Sequence, residues 1–167
     1  MPDILQIIND YIVDKVRNSS KDTFSLRLPS DLITHVAKFY ITPYLAEPEI
    51  RLEGSSLKIS GFNVIKVEIE IKLEGIYWAE DSKILKFSLR APELVAKFLE
   101  GPLVSFEQKS HGVFKLLKDG FEIDIEKVFN FNPKWSSATY SSRNLVKLEC
   151  VNMNQNVIEL VFKKVKP

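Results

Sequence analysis

Residues 65–74 read Ile-Lys-Val-Glu-Ile-Glu-Ile-Lys-Leu-Glu, an unbroken alternation of apolar and charged side chains. In a strand, successive side chains point to opposite faces, so Ile65, Val67, Ile69, Ile71 and Leu73 share one face and Lys66, Glu68, Glu70, Lys72 and Glu74 the other. A strand with one apolar and one charged face must be covered on one side only. Antiparallel sheets meet that requirement, whereas parallel sheets bury both faces and read as continuous apolar runs.

The same two-residue period recurs along the chain. Phe24, Leu26 and Leu28 alternate with polar residues until Pro29. Apolar parity passes from Ile50 and Leu52 to Leu57 and Ile59 across Gly54-Ser55-Ser56, which predicts a tight turn or a bulge, and it slips again between Val64 and Ile65. Leu85, Phe87 and Leu89 mark the partner of the long strand. Charge pairing favours a register that sets Glu74 opposite Lys86 and Glu70 opposite Arg90. Asp119-Gly120 predicts a two-residue type I′ turn between strands at 113–117 and 121–128, with Lys118 opposite Phe121, Leu116 opposite Ile123, Phe114 opposite Ile125 and Lys115 against Asp124. A last pair, 145–151 and 157–165, is joined by an Asn-rich turn.

Helical spacing appears three times. Residues 3–17 place Ile4, Ile8, Tyr11, Ile12 and Val16 on one side. Ser30 caps a second helix over 31–42, in which Leu32, Ile33, Val36, Phe39 and Tyr40 recur until Pro43. A short third helix fits 92–100, with Pro92 at its first position and Gly101 as its stop. Residues 130–144 are polar and serine-rich and read as a long loop. The expectation is one α+β domain over 1–167: a curved antiparallel sheet of about eight strands whose apolar face is covered by about three helices.

With 45% hydrophobic residues in 167, the chain can bury a core without disulfide or metal. Its 23 Lys+Arg against 22 Asp+Glu create no global field for a phosphate backbone, so no nucleic-acid partner is expected. No apolar run approaches the roughly 20 residues of a membrane span. The lone Cys150 and the lack of a secretory pattern lead to a cytoplasmic expectation.

Catalytic patterns are missing. The two imidazoles, His35 and His111, lie far apart in sequence, and Cys150 shares parity with Val146 and Leu148, as a core thiol would. The glycines form no phosphate-cradling loop, and no G-x-S-x-G elbow occurs. Glu122, Asp124 and Glu126 share the polar face of one expected strand and read as a solvated row. No cofactor, metal or catalytic residue is assigned, and the chain reads as non-enzymatic. The segment 130–144 mixes Phe131, Trp135 and Tyr140 with serines and Arg143, so Trp135, Tyr140 and Arg143 form a candidate surface-binding loop.

The order helix, strand, helix, long bulged amphipathic strands, a short helix after Leu89-Arg90-Ala91-Pro92, and hairpins ending in Val157-Ile158-Glu159-Leu160-Val161-Phe162 resembles the tubular lipid-binding superfamily over residues 23–163. That resemblance implies a strongly curved sheet wrapped around a helix, with an apolar cleft for acyl chains. Val36, Phe39 and Tyr40 would then face a cavity lined also by Ile69, Ile71 and Phe87, holding a lipid or another apolar small molecule. The alternative is a protein–protein interaction or scaffold domain with a solid core.

Overall fold

A computed structural model describes residues 4–166; Asp3 and the Ile4 side chain, placed above in the first helix, lie outside the described residues. The chain runs α1 (Ile4–Asn18), β1 (Thr23–Pro29), α2 (Asp31–Ile41), β2 (Ala46–Glu53), β3 (Ser56–Asn63), β4 (Ile65–Trp78), β5 (Lys83–Arg90), α3 (Glu93–Lys109), β6 (Phe114–Leu117), β7 (Gly120–Asp124), α4 (Ile125–Phe131), α5 (Pro133–Thr139), β8 (Val146–Met153) and β9 (Val157–Lys164). The α+β class and the antiparallel pairing agree with the sequence. A single sheet of eight strands does not: the described residues form a six-stranded sheet, β2-β3-β4-β5-β7-β6, and a three-stranded sheet, β1-β9-β8. An isolated backbone bridge between Gly54 and Met153 links the two sheets. The described helices number five rather than three.

Each sheet has its own core. Leu45, Ile50, Ile59, Val67 and Val95 are buried together, with Ala37, Ile41, Ile69, Ile71 and Leu99 packed against them, so α2 and α3 cover the apolar face of β2, β3 and β4. Ile12 of α1 packs with Val146, Leu148 and Phe162 of the three-stranded sheet, joined by Ile76, Trp78 and Leu85 from the far end of the β4–β5 hairpin.

The long hairpin pairs Glu70 with Arg90 and Leu73 with Phe87, the expected register. A bulge at Glu74 then sets Gly75, not Glu74, opposite Lys86. The extra residue turns Ile76 to the side of Leu85, opposite which it sits, and so carries the apolar face to the end of the hairpin.

The β6–β7 hairpin exists, but its register differs from the expected one by two residues: Leu117 pairs with Gly120, Leu116 with Phe121 and Phe114 with Ile123, while Lys115 faces Glu122. Gly120 is therefore a strand residue. A Cβ on it would collide with the Phe87 carbonyl oxygen of β5, so the glycine serves close approach of two strands rather than turn geometry. The strand expected to run to residue 128 ends at Asp124, whose carboxylate accepts a hydrogen bond from the Lys127 amide at 3.1 Å and caps α4. Glu126 thus leaves the row of Glu122 and Asp124.

Two further expectations are corrected. Helix α3 passes through Gly101 and Pro102 to Lys109 instead of stopping at residue 100. Its second half is held by tertiary contacts that outweigh the local stop signal: Phe106 packs edge-on to Phe114, and the Glu107 carboxylate accepts from the Leu116 amide at 2.7 Å. Residues 130–144 are mostly helical, because Asn132 caps α5, Pro133 occupies its first turn, and Ala138 and Thr139 are buried.

Candidate binding surfaces

Helix α2 contains apolar residues around most of its circumference, and periodicity alone does not select which arc meets the sheet. The arc that docks is Ala37 and Ile41, against the core of Leu45, Ile50, Ile59, Val67 and Val95. Alanine lets the helix approach closely. Val36, Phe39 and Tyr40 consequently point outward, with 54%, 75% and 68% of their surface exposed. The structure does not bring the six expected cavity residues together. Ile69 and Ile71 pack on the same core as Ala37 and Ile41, away from the outward arc of α2, and Phe87 stacks on Phe121 at 5.0 Å between ring centroids.

The exposed apolar row extends beyond α2. Leu32 and Tyr44 are exposed at its two ends. Ala46 pairs with Phe62, which brings the chain leaving α2 beside the β3–β4 turn, where Phe62, Val64 and Ile65 are exposed as well. Helix α3, over the same core, buries Val95 and turns Leu94 and Phe98 outward.

A second constellation lies where the two sheets approach. Lys83 is completely buried, and its Nζ donates to Glu126 Oε2 at 2.8 Å, Asn144 Oδ1 at 2.9 Å and the carbonyls of Glu80 and Ala79 at 3.1 and 3.2 Å. The ammonium also lies 5.8 Å from the Trp78 ring centroid. Arg143 holds the other carboxylate oxygen of Glu126 at 3.3 Å and donates to Asn130 at 2.9 Å. Four oxygens surround the three N–H donors of Lys83, so the cluster works as a latch. Sequence reasoning missed it, yet a signal existed: Lys83 shares the parity of Leu85, Phe87 and Leu89, so it stands on the apolar face and needs a buried partner.

Arg143 is therefore drawn into this latch. Its guanidinium stacks at 5.7 Å on Tyr140, which is exposed, while Trp135 is 38% exposed on α5. The binding loop expected from Trp135, Tyr140 and Arg143 is thus split between a structural cluster and a helix surface.

Grooves open on the surface of the described residues. One, of about 740 Å³, lies on the charged face of β2, β3 and β4, among Glu49, Arg51, Lys58, Glu68, Glu70 and Arg90. Much of its charge is internally paired: Glu49 with Arg51, Lys66 with Glu68, and Lys58 with Glu53 at 2.8 Å. The Lys58 hydrogen bond and charge hold the Glu53 carboxyl below the usual carboxylate range. Another groove, of about 640 Å³, runs beside Trp78 and the ends of β8 and β9. Among the described residues no group of three or more His, Cys, Asp or Glu could hold a metal ion, and no helix is long and apolar enough to cross a membrane. Comparison with known proteins finds no matching family model, no matching curated protein and no matching solved structure.

Proposed function

We propose that this protein is a non-enzymatic interaction domain that docks a protein partner on the outward face of α2. The observation that carries the reading is the exposure of Val36, Phe39 and Tyr40 on a helix whose other arc is already packed on the core. An apolar row of this kind, on the outside of an otherwise charged surface, marks an interaction site.

The charge around the row selects the partner. Asp31 stands in the first turn of α2 and Lys38 in its last, and Glu93 is paired with Lys97 on α3 at 3.1 Å. A basic rim would suit an anionic bilayer, whereas a balanced rim suits a protein surface. The fitting partner is an amphipathic helix lying antiparallel to α2, with its acidic end beside Lys38 and its basic end beside Asp31. A second copy of α2 meets that description, because twofold pairing sets the Asp31 end of one copy against the Lys38 end of the other. A cytoplasmic setting suits the free thiol of Cys150.

Sedimentation velocity from about 1 to about 100 µM tests this over the range in which modest interfaces assemble. A monomer–dimer equilibrium that Phe39→Asp abolishes supports the reading. A wild-type chain that stays monomeric throughout overturns self-pairing, and flotation with lipid vesicles that depends on Phe39 moves the surface to a lipid partner.

A further inference from the structure

We propose that the groove beside Trp78 binds a small ligand bearing clustered phosphate groups, held by Lys147 and Lys163. This goes beyond the docking role of α2 and does not depend on it.

The first observation is the strand register. Lys147 of β8 lies directly opposite Lys163 of β9. Like charges facing each other across a ladder are destabilising, and elsewhere the sheets avoid or neutralise the arrangement. Arg27 faces Glu159 and is bonded to it, and Lys58 faces Glu70. Where Arg51 faces Lys58, each has its own carboxylate, Glu49 and Glu53. Among the described residues, Lys147 and Lys163 have no such partner within ion-pair distance to offset their repulsion.

The second observation is the shape around them. The two lysines line a groove of about 640 Å³, within the ordinary range of small-molecule sites. Lys164, Lys166 and Arg143 also line it, so five cations face two carboxylates, Glu80 and Glu149. Arg143 and Lys164 are anchored on Glu126 and the Ser19 carbonyl, and Lys166 approaches Asp22 at 3.8 Å, which leaves Lys147 and Lys163 as the free donors. One wall is Trp78, fixed by its Nε1 donating to the Arg143 carbonyl at 3.4 Å. Two ammonium groups on flexible stems, set opposite each other across the ladder, suit a compact polyanion, and phosphates provide the charge density that a single carboxylate lacks.

Isothermal titration of the full chain with inorganic tripolyphosphate tests the proposal, alongside vesicles of phosphatidylcholine with and without phosphatidylinositol bisphosphate. Wild type should bind tripolyphosphate, and the Lys147→Gln/Lys163→Gln variant should bind roughly a hundredfold more weakly, since each lysine supplies one charge-assisted hydrogen bond. The same variant should unfold at an equal or higher temperature, because it removes a repulsion. Glu149→Gln should tighten binding about threefold by removing an opposing charge. Vesicle binding that needs both lysines and resists tripolyphosphate competition assigns the phosphates to a lipid headgroup; competition assigns them to a free ligand. Failure of wild type to bind either probe overturns the proposal, as does undiminished affinity in the double variant or tighter binding to a DNA duplex than to tripolyphosphate.

Discussion

Glu126 accepts a hydrogen bond at 2.8 Å from Lys83, whose side chain has no exposed surface, and so ties the first turn of α4 to the β4–β5 turn. Arg143 holds the same carboxylate from the segment that leads into β8. One carboxylate thus joins elements that lie far apart in sequence. Removing Lys83 leaves Glu126 to Arg143 alone and takes the donor from the Ala79 and Glu80 carbonyls and from Asn144 Oδ1, and Lys83→Ala should destabilise the fold by about 3 kcal/mol in urea unfolding. Lys83→Met combined with Glu126→Gln should recover part of that loss. A cost below about 1 kcal/mol for Lys83→Ala would mean the pair is solvated, as exposed ion pairs are.

Val64, at the apex of the β3–β4 turn, is fully exposed and has a φ of 64°. A β-branched residue is costly in the left-handed region, and here no packing offsets the cost. Val64→Gly should stabilise the protein by about 1 kcal/mol and raise its thermal midpoint by a few degrees. An unchanged or lower midpoint would show that the turn adopts another backbone conformation.

Glu159 is held below the usual carboxylate range, first by a hydrogen bond from the Ser25 side chain and then by the Arg27 guanidinium across the ladder. A carboxyl whose folded value is depressed adds stability that is present above its unfolded value and is lost as pH falls through the folded one. Carbon-detected NMR titration should find Glu159 titrating below an ordinary glutamate, and Ser25→Ala should move it upward. The difference in stability between wild type and Ser25→Ala should shrink as Glu159 protonates. A normal titration of Glu159 in wild type would contradict the assignment.

Strand faces were legible in the sequence because a two-residue period admits only two choices, and a covered face settles which one. The 65–74 alternation, the turn at Gly54 and the Glu70–Arg90 register are of this kind. Helix faces were less legible. On α2, apolar residues at 32, 33, 36, 37, 39, 40 and 41 leave two arcs able to meet the sheet, and the tertiary fit of Ala37 and Ile41 decides between them. Gly120 misled because turn chemistry and close backbone approach both call for glycine. In 130–144 the polar composition hid the end of α4 and the whole of the capped helix α5, and the role of Arg143 follows from Glu126, whose place depended on where β7 ends.

The central claim is that α2 turns Val36, Phe39 and Tyr40 outward as a docking face. Hydroxyl-radical footprinting of the full chain at high dilution and at high concentration reads that orientation residue by residue. The account predicts strong oxidation of Phe39 and Tyr40 in dilute solution, weak oxidation of Ile41, and protection of Phe39 and Tyr40 as the chain is concentrated. Protection of Phe39 and Tyr40 at every dilution would place them against the sheet, where a ligand cavity would require them, and would contradict it.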